Sequence, residues 1–430
     1  MARAHTYLQN HFTNNPYKVW GLLFFIFIVQ GFIYATPREI FFGLRDIILS
    51  PDVLVSDYVA IGGLGATYVN VGLTGLMVIG ILILVKHEPY GLTLAVLGLI
   101  AGFSFFGKNF LNILPIIAGG YIYSRFAKTT FKSCILPAVC ATCLAPAVTK
   151  LAHIDVIVTW QGLAFGIIIG LFIGFIITPL SAAVFNIHKG CNLYNVGFSS
   201  GFIGICLFAF MQHLGVQYEG IYNRSSGYDL HLALFLGIAS VYFILCGMIG
   251  KGDKLTLGMI LRLDAEDNEF FKIHGDKIYI AMGAMGLFCL ALILGINGSF
   301  SGTVIGGAMS VVGFGAFGKS IRRGAPIVAG TIVAAMVHML FTDTAFNSPG
   351  LLTVMLFSMC LSPTTRRYGA KWGFVVGFLH LILAMNVGVF HGGLNLYNNG
   401  FAGGLAVMVL LPVMEFFKMR KEQKNKPAHE

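Results

Sequence analysis

The chain has 430 residues, of which 57% are hydrophobic and only 11% charged, with a mean hydropathy of +0.81. That composition excludes an ordinary soluble globular protein and indicates a polytopic membrane protein. The net charge of +10 reads as basic residues retained in cytoplasmic loops, not as a nucleic-acid surface. The eight cysteines are scattered, mostly within apolar runs, so no disulfide framework is expected. Cys140 and Cys143 have CxxC spacing in an apolar segment without a second pair or a nearby His. They read as small packing residues, and no metal or cofactor is expected.

In chain order, residues 1–16 are polar and lack an apolar signal region; they read as a cytoplasmic N-terminus without a cleaved signal peptide. Fourteen candidate spans follow, at 17–36, 57–85, 90–107, 109–124, 133–149, 159–186, 193–213, 230–250, 277–296, 302–317, 324–341, 348–364, 372–390 and 395–417. Several are short or broken by Gly and Pro, which makes them candidates for re-entrant segments. Residues 17–213 form a first membrane repeat, 214–229 an extracytoplasmic connector and 230–417 a second repeat; 418–430 form a basic cytoplasmic tail. Segments 38–56 and 251–276 read as surface segments that follow the first span of each half.

Two motifs define the duplication. Gly102-Phe103-Ser104-Phe105-Phe106-Gly107-Lys108 returns as Gly313-Phe314-Gly315-Ala316-Phe317-Gly318-Lys319, and each Lys is followed by Pro-Ile-x-Ala-Gly, beginning at Pro115 and Pro326. The stretch from His188 to Gly201 returns as His391 to Gly404 with nine identities in fourteen positions. If every candidate span crosses, 23 of the 28 Lys and Arg lie on the cytoplasmic side, as the positive-inside rule requires. Corresponding loops then face opposite sides. The loop with Arg125, Lys128 and Lys132 matches one with no positive charge at 342–348, and the loop at 152–155 matches one with Arg366, Arg367 and Lys371. Each half therefore needs an odd number of crossings. The expected fold is all-α, with about 14 transmembrane segments in two inverted seven-segment repeats, the plan of many secondary transporters.

The repeated polar residues are the candidate substrate-binding site. His188, Asn192, Tyr194 and Asn195, with His391, Asn395, Tyr397 and Asn398, gather just before apolar helices. Polar groups there are costly unless they meet water, a partner or a ligand, and a helix start offers free N–H groups to oxygen ligands. A shared central site requires both segments to enter the membrane as broken helices. Lys108 and Lys319 are candidate attractors of an anionic solute, against the plainer reading of lysines that snorkel to the interface. Arg322 and Arg323 have no basic counterpart in the first half and read as topology determinants. Gly162, Gly166, Gly170 and Gly174 form a smooth helix face, matched in part by Gly373 and Gly377, expected between moving parts or between the halves. No Asp or Glu occupies the middle of a span; His338 and His380 do, mainly as packing histidines. This favours a neutral or anionic solute.

By its two repeated motifs the whole chain resembles an uncharacterised family of duplicated bacterial membrane proteins, which implies a fold and no activity. In outline it is similar to nucleobase and anion carriers of seven-plus-seven inverted repeats, although their substrate motifs are absent. It also resembles urea channels, whose Tyr-Asn-Gly element is one residue shorter than Tyr194-Asn195-Val196-Gly197 and Tyr397-Asn398-Asn399-Gly400. These are analogies of architecture. The expected function is transport of a small polar solute by alternating access in a bacterial plasma membrane, with both termini cytoplasmic. A passive channel is the alternative. An intramembrane enzyme is disfavoured, because no nucleophile–base pair or paired carboxylates can be assembled. The expected partners are the solute and the bilayer, with no nucleic acid; a homo-oligomer is left open.

Overall fold

The computed structural model describes residues 6–52, 56–153, 159–215, 223–252 and 268–424. Parts of the connector, of the 152–155 loop and of the 251–276 segment, and the last residues of the basic tail, lie outside the described residues. Within them the fold is helical; the only β-type pairs are isolated bridges of Ser56 with Asn223 and of Asp57 with Phe106. The first half comprises α1 (Pro16–Tyr34), α2 (Pro37–Leu49), α3 (Tyr58–Leu84), α4 (Gly91–Phe103), α5 (Leu114–Phe126), α6 (Phe131–Ala141), α7 (Ala145–Ala152), α8 (Thr159–His188) and α9 (Asn195–His213). The second comprises α10 (Asp229–Ile249), α11 (Asn268–His274), α12 (Ile278–Gly295), α13 (Gly302–Gly315), α14 (Ile321–Phe341), α15 (Pro349–Ser358), α16 (Ser362–Tyr368), α17 (Ala370–Asn386) and α18 (Asn398–Lys424). Ten helical stretches among the described residues are long and apolar enough to cross a membrane.

On α10, Leu230, Leu234, Ile238, Val241, Leu245 and Met248 are exposed at helical spacing, while Leu232, Phe235, Leu236, Ala239 and Phe243 are buried. A helix apolar on both faces and bare on one is placed against lipid. The chain is a multi-pass membrane protein.

Five of the fourteen expected spans take another form. Candidates 90–107, 109–124 and 302–317 are the short helices α4, α5 and α13, of 13, 13 and 14 residues. These are too short for about 30 Å of hydrocarbon at 1.5 Å per residue. Candidates 133–149 and 348–364 are each broken by a 3-10 turn, at Thr142–Leu144 and Met359–Leu361. The cause is local. Pro146 and Pro363 bring no N–H, and each ring displaces the carbonyl four residues earlier, at Thr142 and Met359, the first residues of the two turns.

The short helices α4 and α13 are buried along nearly their whole length and cross each other through glycine. A Cβ on Gly98 would stand 2.6 Å from the Gly313 Cα, and one on Gly102 2.5 Å from the Gly306 carbonyl oxygen. The contact is returned in kind. Gly91 meets the Ala316 carbonyl, and Gly302, the residue that matches Gly91, meets the carbonyl of Phe105, which matches Ala316. Contact of i with j and of j with i is the isologous pattern of a two-fold relation. The Asp57 carboxylate ties the joint: it accepts from Val59 N at 3.0 Å, Ser225 N at 3.1 Å, Ser225 Oγ at 2.7 Å and Gly302 N at 3.0 Å. It thereby caps α3 and α13 together, where a negative charge suits both helix starts.

The glycine face of α8 packs inside its own half. Gly162 and Gly166 lie on the Ala152 and Val148 carbonyls, Gly170 on Pro115, and Gly174 on the Ile116 carbonyl. In the second half Gly377 lies on the Ile327 carbonyl and Gly373 on Thr365. Of the two expected places, between moving parts or between the halves, the second is therefore corrected: the face fastens α8 to α5 and α7, and α17 to α14 and α16. The 38–56 segment is also more than surface, since Asp52 and Ser56 are fully buried at its end.

Gly98→Leu is expected to lower the thermal unfolding midpoint of the purified protein, by about 1–3 kcal/mol or more of overpacking. Gly80→Ala, where a Cβ would meet nothing within 4 Å, is expected to leave the midpoint unchanged or slightly raised.

Candidate functional site

The site is assembled from the ends of the short helices. After α4 and α13 the chain reverses at Gly107 and Gly318, with φ of 74° and 84°. Only glycine enters that region without strain. The next residue is the lysine in each copy, its N–H bonded to the Phe103 carbonyl at 3.2 Å and, in the second copy, to the Phe314 carbonyl at 3.1 Å. This turn sends both side chains inward: Lys108 is 0% exposed and Lys319 1%. Asn70 on α3 holds the first turn, its amide donating to the Ser104 carbonyl at 2.8 Å and the Lys108 carbonyl at 2.9 Å.

Each lysine lies over a tyrosine from the other half. Lys108 Nζ is 5.5 Å from the Tyr397 ring centre and 5.0 Å from that of Phe103. Lys319 Nζ is 5.1 Å from both the Tyr194 and Phe314 rings and donates to the Tyr194 hydroxyl at 3.3 Å. The two tyrosine rings stack on one another at 5.7 Å, 7° from parallel. Phe103 stands edge-on to Tyr397 at 4.7 Å, and Phe314 to Tyr194 at 4.9 Å. Among the described residues, Lys108 Nζ and the Tyr397 hydroxyl have no hydrogen-bond partner, and neither lysine forms an ion pair.

The histidines and asparagines build the walls. His188 Nε2 meets Asn195 Oδ1 at 2.8 Å, and the Asn195 amide donates to the Ser181 carbonyl at 2.9 Å. The second copy repeats this, with His391 Nε2 to Asn398 Oδ1 at 3.0 Å and the Asn398 amide to the Ala384 carbonyl at 2.7 Å. Asn192 and Asn395 reach across the halves: their amides donate to the Gly400 carbonyl at 2.8 Å and the Gly197 carbonyl at 3.2 Å. Their carbonyl oxygens cap Tyr194 N and Tyr397 N, each at 3.0 Å. The helix breaks complete the exchange. Leu193 N donates to the Cys360 carbonyl at 2.9 Å and Leu396 N to the Cys143 carbonyl at 3.0 Å, so each broken helix partners the other half's motif.

All ten predicted residues thus fall in one central assembly, in two layers. The four asparagine amides are engaged by protein groups, while the lysines and tyrosines form the centre. Sequence reasoning missed Asn70, whose position inside an apolar span is the signal that could have found it. It also missed Phe103 and Phe314, which look like ordinary core residues. Of the histidines noted mid-span, His380 is buried beside Asn399, and His338 is half-buried. No group of three or more His, Cys, Asp or Glu able to hold a metal occurs among the described residues.

The burial of the two lysines is only partly compensated by protein groups. Burying an ammonium costs several kcal/mol even after relaxation. A ring face returns roughly 0.5–2 kcal/mol. Two ring faces per lysine and one hydrogen bond leave a deficit that a bound negative charge would offset.

These features define a membrane protein with two copies of one motif set around a shared basic, aromatic centre. The chain belongs to the family described as Protein of unknown function (DUF1576), whose model matches residues 36–213 and 259–416. No curated protein and no solved structure matches it.

Asn195→Ala combined with Asn398→Ala is expected to lower stability by about 2–5 kcal/mol, because each change leaves a buried histidine nitrogen and a carbonyl unpaired. A chemical-denaturation series in detergent measures this; an unchanged midpoint would assign the asparagines to something other than wall-building.

Proposed function

We propose that the protein is a carrier for a small anionic solute, bound between Lys108 and Lys319 with Tyr194 and Tyr397 as its aromatic walls. One observation carries the reading: two fully buried lysines without carboxylate partners among the described residues, each resting on the other half's tyrosine. The solute would supply the missing negative charge and accept hydrogen bonds from the ammonium groups and the tyrosine hydroxyls. We read the asparagines and histidines as the frame that holds the tyrosines, and assign no residue a catalytic role.

The transport cycle we infer follows from the duplication. Two inverted halves of seven helical segments each would present nearly the same chemistry to either side, so rocking one part against another would exchange inward- and outward-open states. The isologous crossing of α4 with α13 and the burial of the centre support a carrier over an open channel. We further propose a bacterial plasma membrane with both termini in the cytoplasm, a reading supported by the distribution of Lys and Arg among the loops.

Two measurements test this. Purified protein is screened by thermal shift against inorganic phosphate, sulfate and short mono- and dicarboxylates, and any stabilising anion is then assayed by counterflow in proteoliposomes. The expected result is saturable, trans-accelerated exchange. It should weaken by about two orders of magnitude in Lys108→Gln with Lys319→Gln, the loss typical of removing a buried charge partner. Stabilisation by neutral solutes alone, indifferent to both substitutions, would refute the anion site. For the inversion, single cysteines at Lys128 and Asp343 in an otherwise cysteine-free protein are expected to react with an impermeant thiol reagent from opposite sides of the membrane.

A further inference from the structure

Asp52 and Asp57 are fully buried carboxyls outside the lysine–tyrosine centre with no ion pair among the described residues; both oxygens of Asp57 accept hydrogen bonds, but only one of Asp52 does. Asp52, in the link between α2 and α3, is 0% exposed. Its Oδ2 accepts from the Tyr58 hydroxyl at 3.0 Å, Asn112 Nδ2 at 3.1 Å and Thr149 Oγ1 at 3.1 Å, while Oδ1 faces no donor among the described residues. The contacts join Asp52 to the loop that starts at Lys108. The Asn112 amide also donates to the Gly107 carbonyl at 3.2 Å. Asn109 braces the same loop, its Oδ1 accepting from Leu111 N at 3.0 Å and Asn112 N at 2.9 Å. Its Nδ2 has no partner among the described residues, and its side chain lies beside the Tyr58 hydroxyl.

The other charged and titratable groups on the elements packed here are few. Asp57 and Tyr58 stand at the start of α3, Lys150 and His153 at the end of α7, and Lys108 at the head of the loop; on α2, Arg38 and Glu39 are exposed, and Arg45 and Asp46 pair with each other on the exposed face. Among the described residues none of them forms an ion pair with Asp52. The arrangement is also one-sided. The register that aligns Lys108 with Lys319 sets Arg323 opposite Asn112, and the register that aligns the two proline breaks sets Arg366 opposite Thr149. The centre is duplicated, but the uncharged donors around this carboxylate belong to the first half alone.

We propose that Asp52 is a reversible protonation site, and that the loss of its proton to bulk water shifts the loop carrying Lys108, giving the carrier a coupling to protons. This rests on the carrier reading. Ionisation puts a full charge on an oxygen without a donor, and an unused donor on the adjoining loop is the amide of Asn109, the residue after Lys108. Recruiting it pulls the head of the loop. Burial pushes the Asp52 carboxyl up to about 7, against the pull of its three hydrogen bonds. Its folded value thus lies above its unfolded one, so its contribution to stability is complete below the unfolded value. That contribution is lost as pH rises through neutrality.

The test uses the full-length protein in lipid vesicles without any solute. Infrared titration from about pH 5 to about pH 9, a range spanning the shifted carboxyl, should show a protonated-carboxyl band that fades near neutrality and is missing in Asp52→Asn. Hydrogen exchange at residues 107–112 should quicken across the same midpoint beyond its intrinsic pH dependence, whereas the matching residues 318–323 should not. Asp52→Asn should abolish the change. Thr149→Val, which keeps the carboxyl and removes one donor, should move the midpoint upward and serves if the Asn variant fails to insert. A band that persists in Asp52→Asn, a loop indifferent to pH, or a loop that responds to sodium at fixed pH overturns the proposal. Neither readout requires transport. A titrating Asp52 in a protein inert in every counterflow assay refutes only the carrier, and a silent Asp52 in an active carrier refutes only the proton coupling.

Discussion

Inside a membrane every backbone polar group must find its partner within the protein, and here that constraint is met at the centre by exchange. Pro146 and Pro363 break their helices and free the Cys143 and Cys360 carbonyls, which then receive the N–H groups of Leu396 and Leu193 from the opposite half. Asn192 and Asn395 make the same exchange through their side chains. At these positions each half's irregular backbone is completed by the other. The parallel stack of Tyr194 on Tyr397, and the lysines on those rings, follow from this mutual dependence.

The same economy explains where polarity is tolerated. The asparagines sit at helix starts and breaks: Asn192 and Asn395 accept from the Tyr194 and Tyr397 N–H groups, while Asn195 and Asn398 hold His188 and His391 and donate to main-chain carbonyls. The lysines differ, because no main-chain deficit calls for an ammonium group. Glycine does the complementary work. At Gly98 and Gly313 it lets the two short helices touch backbone to backbone, and at Gly107 and Gly318 it permits the turn that aims each lysine inward.

Symmetry and asymmetry divide the molecule. The centre, the broken helices and the α4–α13 crossing are built twice, as the two stretches matched by the family model are. Asp52 with Asn112 and Thr149, and the Asp57 joint to Ser225, are built once. In a duplicated protein the doubled parts serve what both halves share, and the single parts serve what distinguishes one side from the other.

Much of this could be read from the chain. Hydropathy determined a multi-pass helical protein, because bilayer thickness sets a length that composition must fill. The rare residues in the two repeated motifs determined the duplication, and they brought all ten candidate residues to one place. What the sequence could not decide was which contact each would make. Asparagine before a helix reads equally as ligand and as frame, and only the structure shows that these four amides reach the Ser181, Ala384, Gly197 and Gly400 carbonyls. The glycine ladder of α8 had the right chemistry for close packing but no address, since helix spacing marks a face and not its neighbour. Asp52 and Asp57 looked like residues at the surface end of a span, because local hydropathy registers a charge and not the donors that the fold brings to it from Asn112, Thr149, Ser225 and Gly302. Sequence determined the elements and their pairing, through periodicities local to the chain. Tertiary structure decided burial and partnership, which depend on groups far apart in the chain, such as Asp57 and Gly302, 245 residues apart.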